Sequence, residues 1–174
     1  MFIVSFNMLA INNTTKQLIN PRKIQALAGK FWRVYKLADS EVSLALVGPA
    51  AIRRLNRKYR GIDKATDVLS FPAEPAKDAK AVAKYLGEII INLAETKKLS
   101  KYREMFEEIG MEEFAVLSRQ SGLSPKKRRV IENYLFYFLL VHGLLHLLGY
   151  DDRDEKGRKE MLKIGQSFLA RNLP

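Results

Sequence analysis

The sequence predicts one α+β domain, a small mixed sheet packed against a central helix. Three short runs, EVSLALV (41–47), DVLSFP (67–72) and LGEIIIN (86–92), carry the alternation or the branched apolar density of strands. Stretches around them repeat apolar residues at helical spacing. One of these, 125–149, is so apolar that a globular chain must bury it. At 174 residues the chain is long enough for one real core and shows no linker, repeat or low-complexity tract.

Each element has a local reason. MFIVSFNMLAI (1–11) has no basic n-region and no small-residue cleavage site after it, so a first strand is expected rather than a signal peptide; Met1 and Met8 both remain possible starts. In NPRKIQALAGKFWRVYKLA the apolar positions Ile24, Leu27, Ala28, Phe31 and Val34 share one face, with Asn20 as cap and Pro21 as first helical residue. Strand 41–47 stops at Gly48 and Pro49, and AAIRRLNRKYR then forms a short basic helix ended by Gly61. Strand 67–72 stops at Pro72, and residues 73–85 are expected as a surface loop before strand 86–92. AETKKLSKYREMFEEIG is expected as a helix ending at Gly110, followed at 111–123 by a short helical piece or an insertion. Ser124 and Pro125 open the long helix, and Gly149 stands where a left-handed residue would stop it. DEKGRKEMLKIGQSFLARNL is a last amphipathic helix.

Composition narrows the function. Lys and Arg number 30 against 19 Asp and Glu, a net charge of +11 and a pI near 9.8. That excess favours a polyanionic partner, nucleic acid ahead of an anionic membrane surface, with solubility as the plainer alternative. The absence of cysteine excludes disulfides and thiolate metal sites and fits a cytoplasmic protein. Tyr134–Tyr150 approaches the length of a membrane span, but two histidines and a glycine near its middle argue for a helix buried in protein.

The chain's only two histidines, His142 and His146, lie four residues apart in HGLLHLLGYDD. That spacing puts them on one helix face with Cβ atoms roughly 6 Å apart, close enough to share an ion. Gly149 ends the helix, and Asp152 can return to close the site, with Asp151 as a competing ligand. H-x-x-x-H-x-x-G-x-x-D has the spacing of the metzincin motif, and two histidines, a carboxylate and an open position make a catalytic zinc arrangement. Two hydrogen-bonded core histidines are the plainer reading; the glycine and carboxylate at the right offsets favour the metal. Zinc peptidases place a glutamate base after the first histidine, whereas this chain has Gly143, so peptide hydrolysis is disfavoured. Water activation and Lewis acidity at phosphorus stay open to such an ion.

HGLLHLLGYDD resembles the H-G-x-L-H-L-x-G-Y-D-H signature of the YbeY family, bacterial endoribonucleases of rRNA maturation. LNRKYRGIDKATDVLSFP (55–72) is similar to that family's L-N-x-x-Y-R-x-x-D-x-x-T-D-V-L-S-F-P segment, and LGEIIIN to its G-D/E-I strand. The blocks follow the family's order, and the resemblance covers about residues 8–170. It implies a zincin-like outline, zinc held by His142, His146 and Asp152, single-stranded RNA as substrate, small-subunit rRNA 3′-end maturation and late ribosome assembly. It also implies a phosphate-holding role for Arg60; a surface ion pair is the plainer role for that residue taken alone. Arg57 and Lys58 on the same helix would extend the groove, with Arg53 and Arg54 beside them. Glu88 is a candidate to face the cleft as a supporting or proton-transfer group, although a strand-edge charge is the commoner role. Thr66, Asp67 and Ser70 are expected to be structural.

Two departures from the family pattern stand out: Asp152 replaces the family's third histidine, and 100–125 looks like an insertion. PKKRRV (125–130) has the composition of a nuclear localisation signal, an RNA or ribosome contact, or a solvated basic face. The rival functions are a non-catalytic rRNA-binding assembly factor with a structural metal and a metallopeptidase.

Overall fold

The computed structural model describes residues 8–74 and 84–173. The strands are β1 (Leu9–Asn13), β2 (Ser40–Val47), β3 (Val68–Pro72) and β4 (Lys84–Asn92). The helices are α1 (Pro21–Val34), α2 (Pro49–Arg60), α3 (Arg103–Glu108), α4 (Glu112–Leu117), α5 (Pro125–Leu147) and α6 (Glu155–Asn172). Residues 1–7 of the expected first strand and 75–83 of the expected loop lie outside the described residues.

The sheet runs in the order β1-β2-β4-β3. β1, β2 and β4 are parallel, and β3 lies antiparallel to β4 at the edge. Pro72 therefore ends a strand whose outer side needs no ladder donor. Alternation divides the sheet between two cores. Val42, Leu44, Leu46, Ile89 and Ile91 join the large core with α1, α5 and α6. Val47, Leu69 and Ile90 turn the other way, onto Ile52 of α2.

The caps are those the sequence predicts. The Asn20 side chain accepts from the Lys23 amide at 3.2 Å and the Ser124 hydroxyl from the Lys127 amide at 3.4 Å. α5 lies across β3 and β4 with α6 against it. It is long and apolar enough to cross a membrane, yet 67% of its most apolar window is buried inside the protein. A globular core explains its composition.

At Gly143 α5 lies close against the sheet. A Cβ there would stand 2.8 Å from Ile89 Cγ2 and 3.2 Å from Ser70 Oγ. Ile89 is fully buried, so it has little room to withdraw. The small residue after His142 is thus fixed by packing, and it brings the first histidine down against β3.

The stretch after β4 differs from its expected single helix. It forms two 3₁₀ turns, Glu95–Lys97 and Leu99–Tyr102, before α3. Polar tertiary contacts explain the break. Buried Glu95 accepts from Lys98 at 2.6 Å and Lys101 at 3.2 Å. Lys101 and the Tyr102 hydroxyl also reach Asp67, at 3.0 and 3.1 Å. Burial opposes ionisation of Asp67, but Lys101 and these hydrogen bonds outweigh it and hold its carboxyl below the ordinary value. Asp67 ties the start of β3 to this segment, a structural role, and Thr66 donates to it at 3.1 Å. Further on, Phe106, Phe114 and Tyr134 pack edge-to-face or tilted, with centroids 5.5–6.2 Å apart. α3 and α4 are therefore part of the core beneath the first half of α5.

Candidate metal centre

The site forms where α5 ends. Tyr150 N–H donates to the Leu145 carbonyl at 3.1 Å and Gly149 N–H to that of His146 at 3.0 Å, with Gly149 at φ +92°. This is the Schellman closure, and it needs a residue that tolerates left-handed backbone. The same turn presents the Tyr150 carbonyl to His146 Nδ1 at 3.0 Å. Because a carbonyl only accepts, that contact places the proton on Nδ1 and leaves a lone pair on Nε2. The element that stops the helix thus also sets the tautomer of the second histidine.

That lone pair points into a small three-sided space. His142 Nε2 is 3.0 Å from His146 Nε2, and the rings stand at 89°. Asp152 closes the third side, Oδ2 lying 3.4 Å from His142 Nε2 and Oδ1 3.6 Å from His146 Nε2. All three residues are half-buried, and one ligand atom from each falls within 4.8 Å of the others. A tetrahedral ion with bonds of roughly 2.0–2.2 Å sets its ligand atoms about 3.3–3.6 Å apart, so the two histidine–aspartate separations match a single divalent cation, and the histidine pair would open slightly to hold it.

Asp152 reaches the site because the 150–154 loop folds back onto α6. Asp154 caps that helix, accepting from Gly157 N–H at 2.7 Å. A Cβ on Gly157 would lie 2.2 Å from the Asp151 carbonyl oxygen. Glycine at this point of the first turn permits the close return. Asp151 is held by the Arg153 guanidinium and turned outward, so Asp152 and not Asp151 completes the cluster. Sequence reading missed Gly157, the Tyr150 carbonyl and Arg153. Of these only Gly157 left a signal, a poor helix former in the first turn of a helix.

Electrostatics match the geometry. The hydrogen bond from His142 is the main cause holding Asp152 down at about 2, against a desolvation cost. Burial, then the neighbouring His142, pushes the pKa of His146 down, with the two aspartates and the Tyr150 carbonyl opposing. For a group with a lowered folded pKa, the unfolded chain binds the proton more readily. The metal-free protein is therefore expected to lose stability as pH falls below about 6.5, the unfolded histidine value. Zinc competes with that same proton and should hold on to lower pH than it would with an unperturbed imidazole. Melting temperature measured with and without zinc from pH 8 to 5 tests this: the zinc-dependent rise should shrink towards pH 5.

The other candidates form a second group. Arg57, Lys58 and Arg60 are exposed at the end of α2, across the sheet from α5. Arg53 is paired with Asp63 at 2.8 Å, while Arg54 and Arg60 have no hydrogen-bond or ion-pair partner among the described residues. Glu88 stands opposite Phe71 in the β3–β4 ladder and shares the α2 face with Ile90. The strand's period of two turns it away from the histidines, so its expected place in the metal cleft is not the one observed.

Known proteins resemble this chain along most of its length. The family model described as Endoribonuclease YbeY matches residues 10–118 and 124–172. The break it leaves, 119–123, falls inside the 100–125 segment. The endoribonuclease YbeY of Alkaliphilus metalliredigens is 34% identical over 174 residues, 93% of each chain. That of Heliobacterium modesticaldum is 38% identical over 143 residues, covering 78% of this chain and 71% of the relative. That of Leptospira interrogans is 40% identical over 123 residues, 71% and 78% of the two chains. A solution structure from Thermotoga maritima superposes with a TM-score of 0.51 at 25% identity, covering 93% of this chain and 87% of that one. With a match that runs from β1 through α6 and takes in the His/His/Asp cluster at the end of α5 and the loop after it, this chain belongs to the endoribonuclease YbeY family.

Proposed function

We propose that the chain is a zinc-dependent endoribonuclease of the cytoplasm that cuts single-stranded RNA during small-subunit rRNA maturation, working on ribosomal subunits. The observation that carries this reading is the convergence of His142, His146 and Asp152 at the end of α5 in a chain of net charge +11. These three residues would hold the ion. Once bound, zinc supplies Lewis acidity at phosphorus and acidifies water.

The chain's own residues do the rest. The Tyr150 carbonyl keeps the proton of His146 on Nδ1, so its Nε2 remains a donor of electrons. Arg60, exposed and with no ion-pair partner among the described residues, offers a two-pronged hydrogen-bond donor to a phosphate and stabilises charge growing on its oxygens. Gly143 leaves no carboxylate at the position where a peptidase carries its base, which favours phosphodiester over peptide substrates.

The test is cleavage of a single-stranded RNA that carries the 3′-end sequence of small-subunit rRNA, with its duplex form as control. The zinc-loaded protein should cut the single strand, and a chelator should stop it. Arg60→Ala should lower kcat/KM by about 10²–10³-fold with zinc content unchanged. Tight RNA binding and full zinc with intact RNA products would instead support a non-catalytic assembly factor. Digestion of casein by the same preparation would support a peptidase.

A further inference from the structure

The function proposed above uses the charges at the end of α2 but leaves their one aromatic neighbour unassigned. Tyr59 lies between Lys58 and Arg60 and is 55% exposed, although it belongs to a helix with an apolar face available for burial. Its ring is not loose. The Phe71 ring meets it at 61° with centroids 5.0 Å apart, and the Lys58 ammonium lies over the ring, 4.8 Å from its centroid. An aromatic ring fixed by a neighbouring ring, with one lysine head over its face, stacks an unpaired base once that ammonium swings off to a phosphate.

The position gives the ring a use. Phe71 is the next residue along β3 from Ser70, and Ser70 lies beneath Gly143, the neighbour of His142. β3 is the edge of the sheet. The edge strand therefore links the tyrosine on one face to the metal cluster on the other, and a strand of RNA can pass over it between the two. Duplex RNA presents no free base face to such a ring, so the platform selects unpaired segments.

We propose that Tyr59 is a base-stacking platform that receives one unpaired nucleotide of the RNA substrate and fixes its position relative to the His142–His146–Asp152 cluster. This rests on the RNA-cleaving function proposed above.

The experiment measures binding of the full zinc-loaded chain to a fluorescently labelled single-stranded RNA oligonucleotide and to the same oligonucleotide made abasic at successive positions. Tyr59→Ala should weaken binding of the intact strand about tenfold or more, since stacking of one base contributes about that factor. Tyr59→Phe should bind within about twofold of the unaltered protein, because the π face remains. The abasic strand should bind the unaltered protein and Tyr59→Ala equally. The dependence on salt should be unchanged in Tyr59→Ala, because no counterion is released by a neutral ring, and should flatten in Arg57→Ala. Tyr59→Trp provides a direct readout, its added fluorescence being quenched by the intact strand and not by the abasic one. Equal binding of intact RNA by Tyr59→Ala and the unaltered protein, or a Trp signal blind to the bases, overturns the platform alone. Failure of the unaltered protein to bind any single-stranded RNA overturns the RNA-cleaving function with it.

Discussion

His146→Ala is expected to remove the bound metal and the RNA cleavage together while leaving the apo fold nearly intact. The ring supplies an Nε2 lone pair 3.0 Å from His142 Nε2, and no other described side chain belongs to the cluster besides Asp152. Loss of a group that merely orients a ligand typically costs about 10–100-fold in metal affinity or activity, so loss of a ligand should exceed about 100-fold in kcat/KM. Stability separates this from unfolding. Ligand at 100 times its Kd stabilises a protein by about 2.7 kcal/mol, which for a chain of this size raises the melting temperature by roughly 5–10 °C. The unaltered protein should show that rise on adding zinc, and His146→Ala should not. Without zinc the two should melt within a few degrees, because the side chain is half-buried and sits outside the main apolar core. A variant that keeps both the zinc-dependent rise and the cleavage would remove His146 from the site.

What the sequence disclosed depended on how local each feature is. The ends of α1 and α5 were legible because Asn20, Ser124 and Gly149 act on amides or carbonyls only a few residues away. The His142–His146 pairing was legible for the same reason, since one helical turn fixes it. Asp152 was legible as the third ligand from its offset, but nothing local excluded Asp151, because that exclusion rests on Arg153 capturing Asp151 and on Gly157 letting the loop return. The 94–110 segment misled because Leu99, Tyr102 and Phe106 have helical spacing, while the conformation follows Glu95 and Asp67 drawing Lys98, Lys101 and Tyr102 towards them. The orientation of Glu88 was unreadable because LGEIIIN is apolar on both faces of β4, so nothing in the pattern marks a solvent side.

Gly143→Glu, which restores the residue order of a zinc peptidase, is expected to unfold the site rather than create a peptidase. At 143 the first added carbon already meets Ile89 Cγ2 at 2.8 Å, between a fully buried strand residue and the buried helix itself. Gly143→Ala measures that collision alone. Alanine favours a helix interior by about 1 kcal/mol over glycine, while overpacking a core typically costs about 1–3 kcal/mol, so a net loss of up to about 2 kcal/mol is expected. Glutamate adds the rest of a side chain and a carboxylate that must either ionise against the sheet or take up a proton there, and uncompensated burial of such a group costs several kcal/mol more. Total stability of a domain is only about 5–15 kcal/mol, so Gly143→Glu should lose much of it. Denaturant unfolding midpoints should fall in the order unaltered protein, Gly143→Ala, Gly143→Glu, with zinc binding weakened in the last because His142 is the adjacent residue. A Gly143→Glu protein as stable as the parent would show that α5 can rise off β3 without cost. The absence of a base at 143 would then be a choice of chemistry and not a consequence of packing.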